Sequence, residues 1–227
     1  MRRIVAALAA VGVLGALPAA ASAHRYTAYA GEAAKPPKSA PPTSTLNVFQ
    51  PAKLKVRAGD KVRYLNNAFH TVSVLGNGVA RPPIAVPAPP ATYSGIKDPQ
   101  GNDFFFNGLT KFEYNPAVFG PAGSTTVGDG QTHSSGAFGG SPAGPGAYTL
   151  KFAKPGTYKV LCLLHPGMVQ TVKVLKKKAK GADTDSKIRK EIATQSKQHY
   201  QDAGYFASLP GQSPVLSRVA TGGTGPA

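Results

Sequence analysis

Between Cys162 and Met168 the chain reads Cys-Leu-Leu-His-Pro-Gly-Met, which puts a thiol, an imidazole and a thioether within seven residues. Cys162 is the single cysteine. That excludes an intramolecular disulfide framework, and also a zinc ribbon or iron–sulfur cluster held by several cysteines of one chain. Far upstream, His70 opens the run His-Thr-Val-Ser-Val and shares parity with Val72 and Val74, so its ring is expected to face inward. Two imidazoles, one thiolate and a weak axial thioether make a donor set suited to copper. Soft sulfur favours Cu(I), imidazole binds both oxidation states, and a geometry between the two preferences needs little rearrangement when an electron moves. Zinc accepts the same sulfur and nitrogen donors, but a thioether suits it poorly, so Met168 favours copper. Each residue alone has an ordinary reading: a buried thiol, a turn histidine, a methionine filling a core gap. Their joint spacing, after a strand and with an inward histidine upstream, points to a metal site of His70, Cys162, His165 and Met168.

Strands have to hold those residues. Glycine (26) and proline (21) are abundant among the 227 residues, which argues for a loop-rich β protein over a helical bundle. Leu54, Val56, Val62 and Tyr64 alternate with Lys53, Lys55, Arg57, Lys61 and Arg63, the period of strands with one buried face. Ala58-Gly59-Asp60 supplies the turn between them. The pattern returns at Tyr148, Leu150 and Phe152, turns at Lys154-Pro155-Gly156-Thr157, places Tyr158, Val160 and Cys162 on one face, and closes over 169–174. Between the two regions, residues 76–147 hold 14 Gly and 10 Pro. They read as a long insertion with a few short strands, packed on the core by aromatics such as Phe104-Phe105-Phe106 and Val118-Phe119. Past Leu175 comes Lys176-Lys177-Lys178-Ala179-Lys180, then a helix capped within Asp183–Ser186 with Ile188 and Ile192 four apart. The chain after Gly204 reads as a mobile tail.

At the other end, Arg2 and Arg3 precede an apolar run from Ile4 to Ala21 and the small-residue end Ala21-Ser22-Ala23, the pattern of a cleaved secretory signal peptide. An uncleaved anchor is the alternative. Residues 24–44, with Pro36, Pro37, Pro41 and Pro42, read as an extended linker. The expected organisation is a signal peptide over 1–23, a linker over 24–44, a copper-binding domain over 45–175 with its insertion at 76–147, and a basic extension over 176–227. A net charge of +16 would suit nucleic acid, but the secretory pattern and the lack of a recognition motif argue against it. The Lys-rich 173–180 run reads as a solvated edge, with weak attraction to an acidic partner or anionic surface as its functional reading. His24 would be the first residue after cleavage. An amine plus imidazole there can chelate copper, but the second histidine would have to be His133 or His199, so this is read as coincidence. His133, in Thr-His-Ser-Ser-Gly, reads as an exposed turn.

Residues 46–75 and 134–175 resemble the cupredoxins, the plastocyanin/amicyanin/azurin family of blue (type 1) copper proteins. The first piece runs Val56-Arg57-Ala58-Gly59-Asp60-Lys61-Val62, then Asn66-Asn67-Ala68-Phe69-His70-Thr71-Val72. The second runs from Ser135-Gly136 to Phe152, then Lys154-Pro155-Gly156-Thr157-Tyr158 to Cys162, His165, Met168 and Val172. The C-x2-H-x2-M spacing is most similar to amicyanin, with its short ligand loop. The resemblance covers 72 of the 227 residues. It implies an all-β Greek-key sandwich, here with a Gly/Pro-rich insertion and a short C-terminal helix and tail. It implies one type 1 copper near one end of the sandwich, bound by His70 and His165 through imidazole nitrogen, by Cys162 through its thiolate and by Met168 axially. His165 would be the more exposed ligand. The sequence departs from the family at Thr71, where Asn is common after the first histidine, and in the length of the insertion.

The function this implies is that of a periplasmic or secreted one-electron carrier, a monomer and not an enzyme, cycling Cu(II)/Cu(I) between redox partners. Those partners would dock on an apolar patch of Leu163, Leu164, Pro166 and Gly167 around His165. Storage or delivery of copper outside the cytoplasm is the alternative. A small copper oxidase is a third reading, weakened by the lack of histidine pairs for a second copper centre.

Overall fold

The computed structural model of the chain describes residues 23–33, 35–38, 40, 45–87, 92–97, 101, 103–105, 112–139 and 146–208. Alternation of polar and apolar residues produces strands where it predicts them. In chain order the elements are β1 (Arg25–Ala30), β2 (Phe49–Gln50), β3 (Lys53–Arg57), β4 (Lys61–Asn66), β5 (Ser73–Val74), β6 (Ala85–Pro87), β7 (Thr92–Lys97), β8 (Asp103–Phe105) and β9 (Phe112–Tyr114). The one-turn helix α1 (Pro116–Phe119) follows, then β10 (Thr126–Val127), β11 (His133–Ser134), β12 (Gly146–Phe152), β13 (Gly156–Leu161), β14 (Val169–Leu175) and the helix α2 (Asp185–Ser208). Two mixed five-stranded sheets, ordered β10-β12-β4-β1-β2 and β11-β5-β13-β14-β3, form a β-sandwich; the insertion adds the two-stranded pairs β6-β9 and β7-β8.

The inward side chains of both sheets make one core. Leu54 and Val56 on β3, Val62 and Tyr64 on β4, Leu150 and Phe152 on β12, Val160 on β13, and Val172 and Val174 on β14 are all buried in it, together with Cys162 and Met168. The chain passes between sheets at three tight corners, from β2 to β3, from β3 to β4 and from β12 to β13. These crossings give the Greek-key connectivity. At the β3–β4 corner Gly59 takes φ +98°, which a side chain would disfavour, and its N–H donates to Phe152 O at 2.7 Å. Asp60, buried beside it, accepts from Arg57 N–H at 2.8 Å and from His24 N at 2.9 Å.

Three sequence expectations change here. Residues 25–30 are not linker. They form β1, a strand inside the first sheet, parallel to β4 in the register Arg25↔Lys61 through Ala30↔Asn66. Tyr26, Ala28 and Ala30 face the core, so the domain begins well before residue 45. The C-terminal extension is not separate from the domain either. Helix α2 runs past Gly204 and lays Ile188 and Ile192 against the main core, while Tyr200 packs with Leu46 and Val48. Ser196 Oγ donates to Gln50 Oε1 at 2.6 Å, and Gln195 Oε1 accepts from Ala52 N–H at 3.1 Å. His133 is buried on β11 instead of exposed, with Nδ1 on Ser124 O at 2.7 Å and Nε2 on the Asp129 carboxylate at 2.8 Å. The signal-peptide reading of 1–23 falls almost wholly outside the described residues, as does the chain after Ser208.

Inside the sandwich one polar link joins the two sheets. Tyr64 OH on β4 donates to Gln170 Oε1 on β14 at 2.6 Å, and Gln170 Nε2 donates to Pro51 O at 2.7 Å. Complete burial drives the Tyr64 pKa far up, so the phenol remains a donor. Tyr64→Phe leaves Gln170 Oε1 buried without its donor and is expected to cost about 1–3 kcal/mol. Urea unfolding checks this: the midpoint should fall with the slope unchanged.

Candidate metal centre

The loop from Cys162 to Met168 joins β13 to β14, a hairpin of the second sheet. Its two ends are locked together, with Cys162 N–H donating to Met168 O at 3.0 Å and Met168 N–H to His165 O at 3.1 Å. Gly167 supplies the φ of +83° that the tight turn requires. His70 comes from the segment leading into β5, which pairs with β13. Its backbone exchanges hydrogen bonds with Phe138, from the end of the insertion. The hairpin loop and the β5 lead-in meet at one end of the sandwich.

There the side chains converge. His70 Nδ1 lies 3.1 Å from His165 Nδ1; Cys162 Sγ lies 3.8 Å from the first and 3.4 Å from the second. A point equidistant from these three atoms sits roughly 2 Å from each, the length of a metal–nitrogen bond. No other group of three or more metal-donor side chains comes together among the described residues. Cys162 and His70 are buried and His165 is half-buried. Met168 is buried in the same core cluster as Cys162.

The surroundings prepare these atoms to bind. Burial, with His165 as a second cause, pushes the His70 pKa down to about 3; burial lowers that of His165. Both rings are neutral near pH 7, so each offers a lone pair without first losing a proton. The backbone N–H of Thr71 points at Cys162 Sγ at 3.4 Å, an amide donor that steadies a thiolate. His70 Nε2 is buried with no hydrogen-bond partner among the described residues. Gly31, at the end of β1, closes over that edge of the ring: a Cβ there would lie 3.0 Å from His70 Nε2.

Sequence reasoning singled out the three residues that converge and missed much of their support; Met168, also singled out, lies buried in the core cluster with Cys162. Thr71 uses its hydroxyl as well as its amide: Oγ1 accepts from Leu163 N–H at 2.6 Å. Ser73 Oγ donates to the same oxygen at 3.4 Å and contacts Ser134 Oγ on β11 at 2.8 Å. Leu163 is buried and does not belong to a surface patch; Pro166 is exposed and Leu164 half-buried. Phe69, beside His70, is 50% exposed and adds an aromatic face that the sequence did not single out. His24 is engaged with Asp60 through its backbone and with Asp185 through Nε2 at 3.0 Å.

No family model matches the chain, and none of the curated proteins is a match. Among solved structures it is similar to a purple cupredoxin from Nitrosopumilus maritimus, at 14% identity over 66% of this chain and 99% of that one, with a TM-score of 0.31. It is similar to auracyanin B at 17% identity over 67% and 89%, TM-score 0.34. A pseudoazurin from Hyphomicrobium denitrificans matches at 19% identity over 75% and 97%, TM-score 0.27.

The Thr71 hydroxyl is one of the bonds between the two ligand segments. Thr71→Val strands the buried Leu163 N–H and is expected to destabilise the protein by about 1–3 kcal/mol. Thr71→Ser keeps the acceptor and most of the stability. Amide exchange at Leu163, followed by NMR, should speed up in the Val variant and stay near wild type in the Ser variant.

Proposed function

We propose that this cupredoxin-like chain is an extracytoplasmic blue copper protein that carries single electrons between redox partners. The observation that carries the reading is the triangle of His70 Nδ1, His165 Nδ1 and Cys162 Sγ, sized for one ion and built from the donor types of a type 1 site. Met168, three residues after His165 at the closed end of the loop, would supply the fourth donor. When bound, one copper ion supplies a one-electron couple. The chain supplies the rest. The hairpin fixes Cys162, His165 and Met168; the Phe138 bridge fixes His70; the apolar core keeps water from the sulfur. No bond is made or broken in a substrate.

Electrons enter and leave at His165, the half-buried edge of the centre. The partner docks around it on Pro166 and Leu164, with Phe69 beside them. Small interfaces of this kind suit transient redox encounters. The exposed lysines 176–178 add long-range attraction to an acidic partner or an anionic surface. The basic, apolar start from Arg2 to Ala23 supports export. Among the described residues no helix is long and apolar enough to cross a membrane.

Copper storage or delivery uses the same ligands and predicts rapid exchange of the metal. Burial of Cys162 and His70 favours the carrier. Copper loading is expected to give an intense visible thiolate-to-copper band and a type 1 paramagnetic resonance spectrum. Cys162→Ser should abolish the band and leave the far-UV circular dichroism of the sandwich unchanged. Met168→Gln should keep the colour and lower the potential; unchanged colour and potential would remove Met168 from the ligand set. Copper loss to a chelator should be much slower than electron exchange, and the reverse order would establish delivery instead.

A further inference from the structure

Besides Phe138, which brackets the His70 backbone, the insertion brings a cation to the metal centre. Arg81 Nη1 donates to the carbonyl oxygen of Cys162 at 2.7 Å. That oxygen and the Leu163 N–H held by Thr71 belong to the same peptide group. The peptide that follows the thiolate residue is therefore gripped at both ends. One grip, from Thr71, is neutral; the other carries the positive charge of a guanidinium.

The arm bearing Arg81 is itself anchored on both sides. Before it, Gly76 N–H donates to Thr132 Oγ1 at 3.0 Å and Asn77 N–H to Gly130 O at 2.9 Å. After it, Asn115 Nδ2 donates to Pro83 O at 2.7 Å, and Asn115 N–H to Ile84 O at 2.9 Å. Pro82 and Pro83 stiffen the stretch between these anchors. A flexible cation on an open surface would be screened. This one is half-buried, directed at a ligand residue and held in place, where screening is weaker.

We infer that Arg81 is a positioning residue through which the insertion raises the reduction potential of the centre. The inference rests on the copper reading of the same site. A fixed positive charge beside the thiolate residue favours the form of the centre with one positive charge fewer, which is the reduced form. The electron comes from and returns to the redox partner; Arg81 changes only its free energy on the protein. A purely mechanical grip would need a donor but not a charge, and this separates the two roles.

The test uses the full copper-loaded chain. Arg81→Gln keeps a donor and loses the charge; Arg81→Lys keeps the charge. The expected result is that both variants keep the visible band, Arg81→Gln has a lower midpoint potential than wild type, and Arg81→Lys lies close to wild type. The gap between Gln and wild type should narrow as salt rises from about 0.01 M to 1 M, as the Debye length contracts. Thermal melting of the metal-free proteins reports the mechanical role alone, and both variants should fall there by similar amounts. Asn115→Ala loosens the arm without touching the centre and should lower the potential in the same direction. It decides the matter if Arg81→Gln does not fold. Equal potentials in wild type and Arg81→Gln, or a Lys variant that falls as far as the Gln variant, would overturn the inference. A wild-type protein that takes up copper without the intense band overturns the copper reading, and this one with it, before any substitution is made.

Discussion

The structure depends on holding two neutral imidazole nitrogens and one sulfur against a single small volume. Their edges of 3.1, 3.4 and 3.8 Å leave no room for a protein atom between them. Metal-free, the two imidazoles can share one proton across Nδ1, but the sulfur and a remaining lone pair still face the same space. The arrangement is costly on its own account, because polar groups are withdrawn from water and given few partners. The edge of His70 away from the cluster illustrates this: Nε2 is buried without a hydrogen-bond partner among the described residues, under Gly31. Stability from elsewhere in the sandwich has to offset that cost.

The topology explains how. One hairpin carries three of the proposed donors at a spacing too short to rearrange, with its ends closed by the Cys162–Met168 and Met168–His165 backbone bonds. The fourth, His70, arrives from the segment leading into β5, 92 residues before Cys162, and Thr71 ties the two segments together next to both. Such ties limit how far the donors can move apart. The proposed one-electron role calls for that rigidity, since any movement of ligands adds to the barrier for transfer. Sheet-to-sheet contacts such as Tyr64 with Gln170 set the distance between the two layers that these segments span.

The legible part of this fold was the part written in local pattern. Alternation placed β3, β4, β12, β13 and β14, and the Cys-x2-His-x2-Met loop announced a metal. Strand β1 escaped because two of its three inward residues, Ala28 and Ala30, are small and carry little apolar signal, and because prolines follow soon after. Its pairing with β4 is parallel and distant, so no hairpin marks it. His133 read as a turn because serine and glycine surround it. Its burial is made tolerable by Ser124 O and the Asp129 carboxylate, acceptors that only the folded insertion brings to the ring. The stripe of α2 was visible in Ile188 and Ile192, but its polar contacts through Gln195 and Ser196 depend on where β2 lies.

The insertion accounts for a further departure from simple alternation. From His70 to Val74 every residue is buried, although only alternate ones face the main core. On that second side β11 adds to the edge of β5 and places Ser134 beside Ser73. Thr71 and Ser73 point to that side, so their hydroxyls are withdrawn from bulk water and can be spent on the ligand loop and on β11. A strand left open on this face would present the same hydroxyls to solvent, where water competes for Leu163 N–H and weakens the tie. A short threonine side chain serves as the link after His70 because the surrounding wall holds it against its partner and supplies a second hydroxyl, from Ser73, to the same oxygen. The long loop and the identity of residue 71 thus belong to one solution: extra chain shields a small brace, and the brace holds the two halves of the centre together.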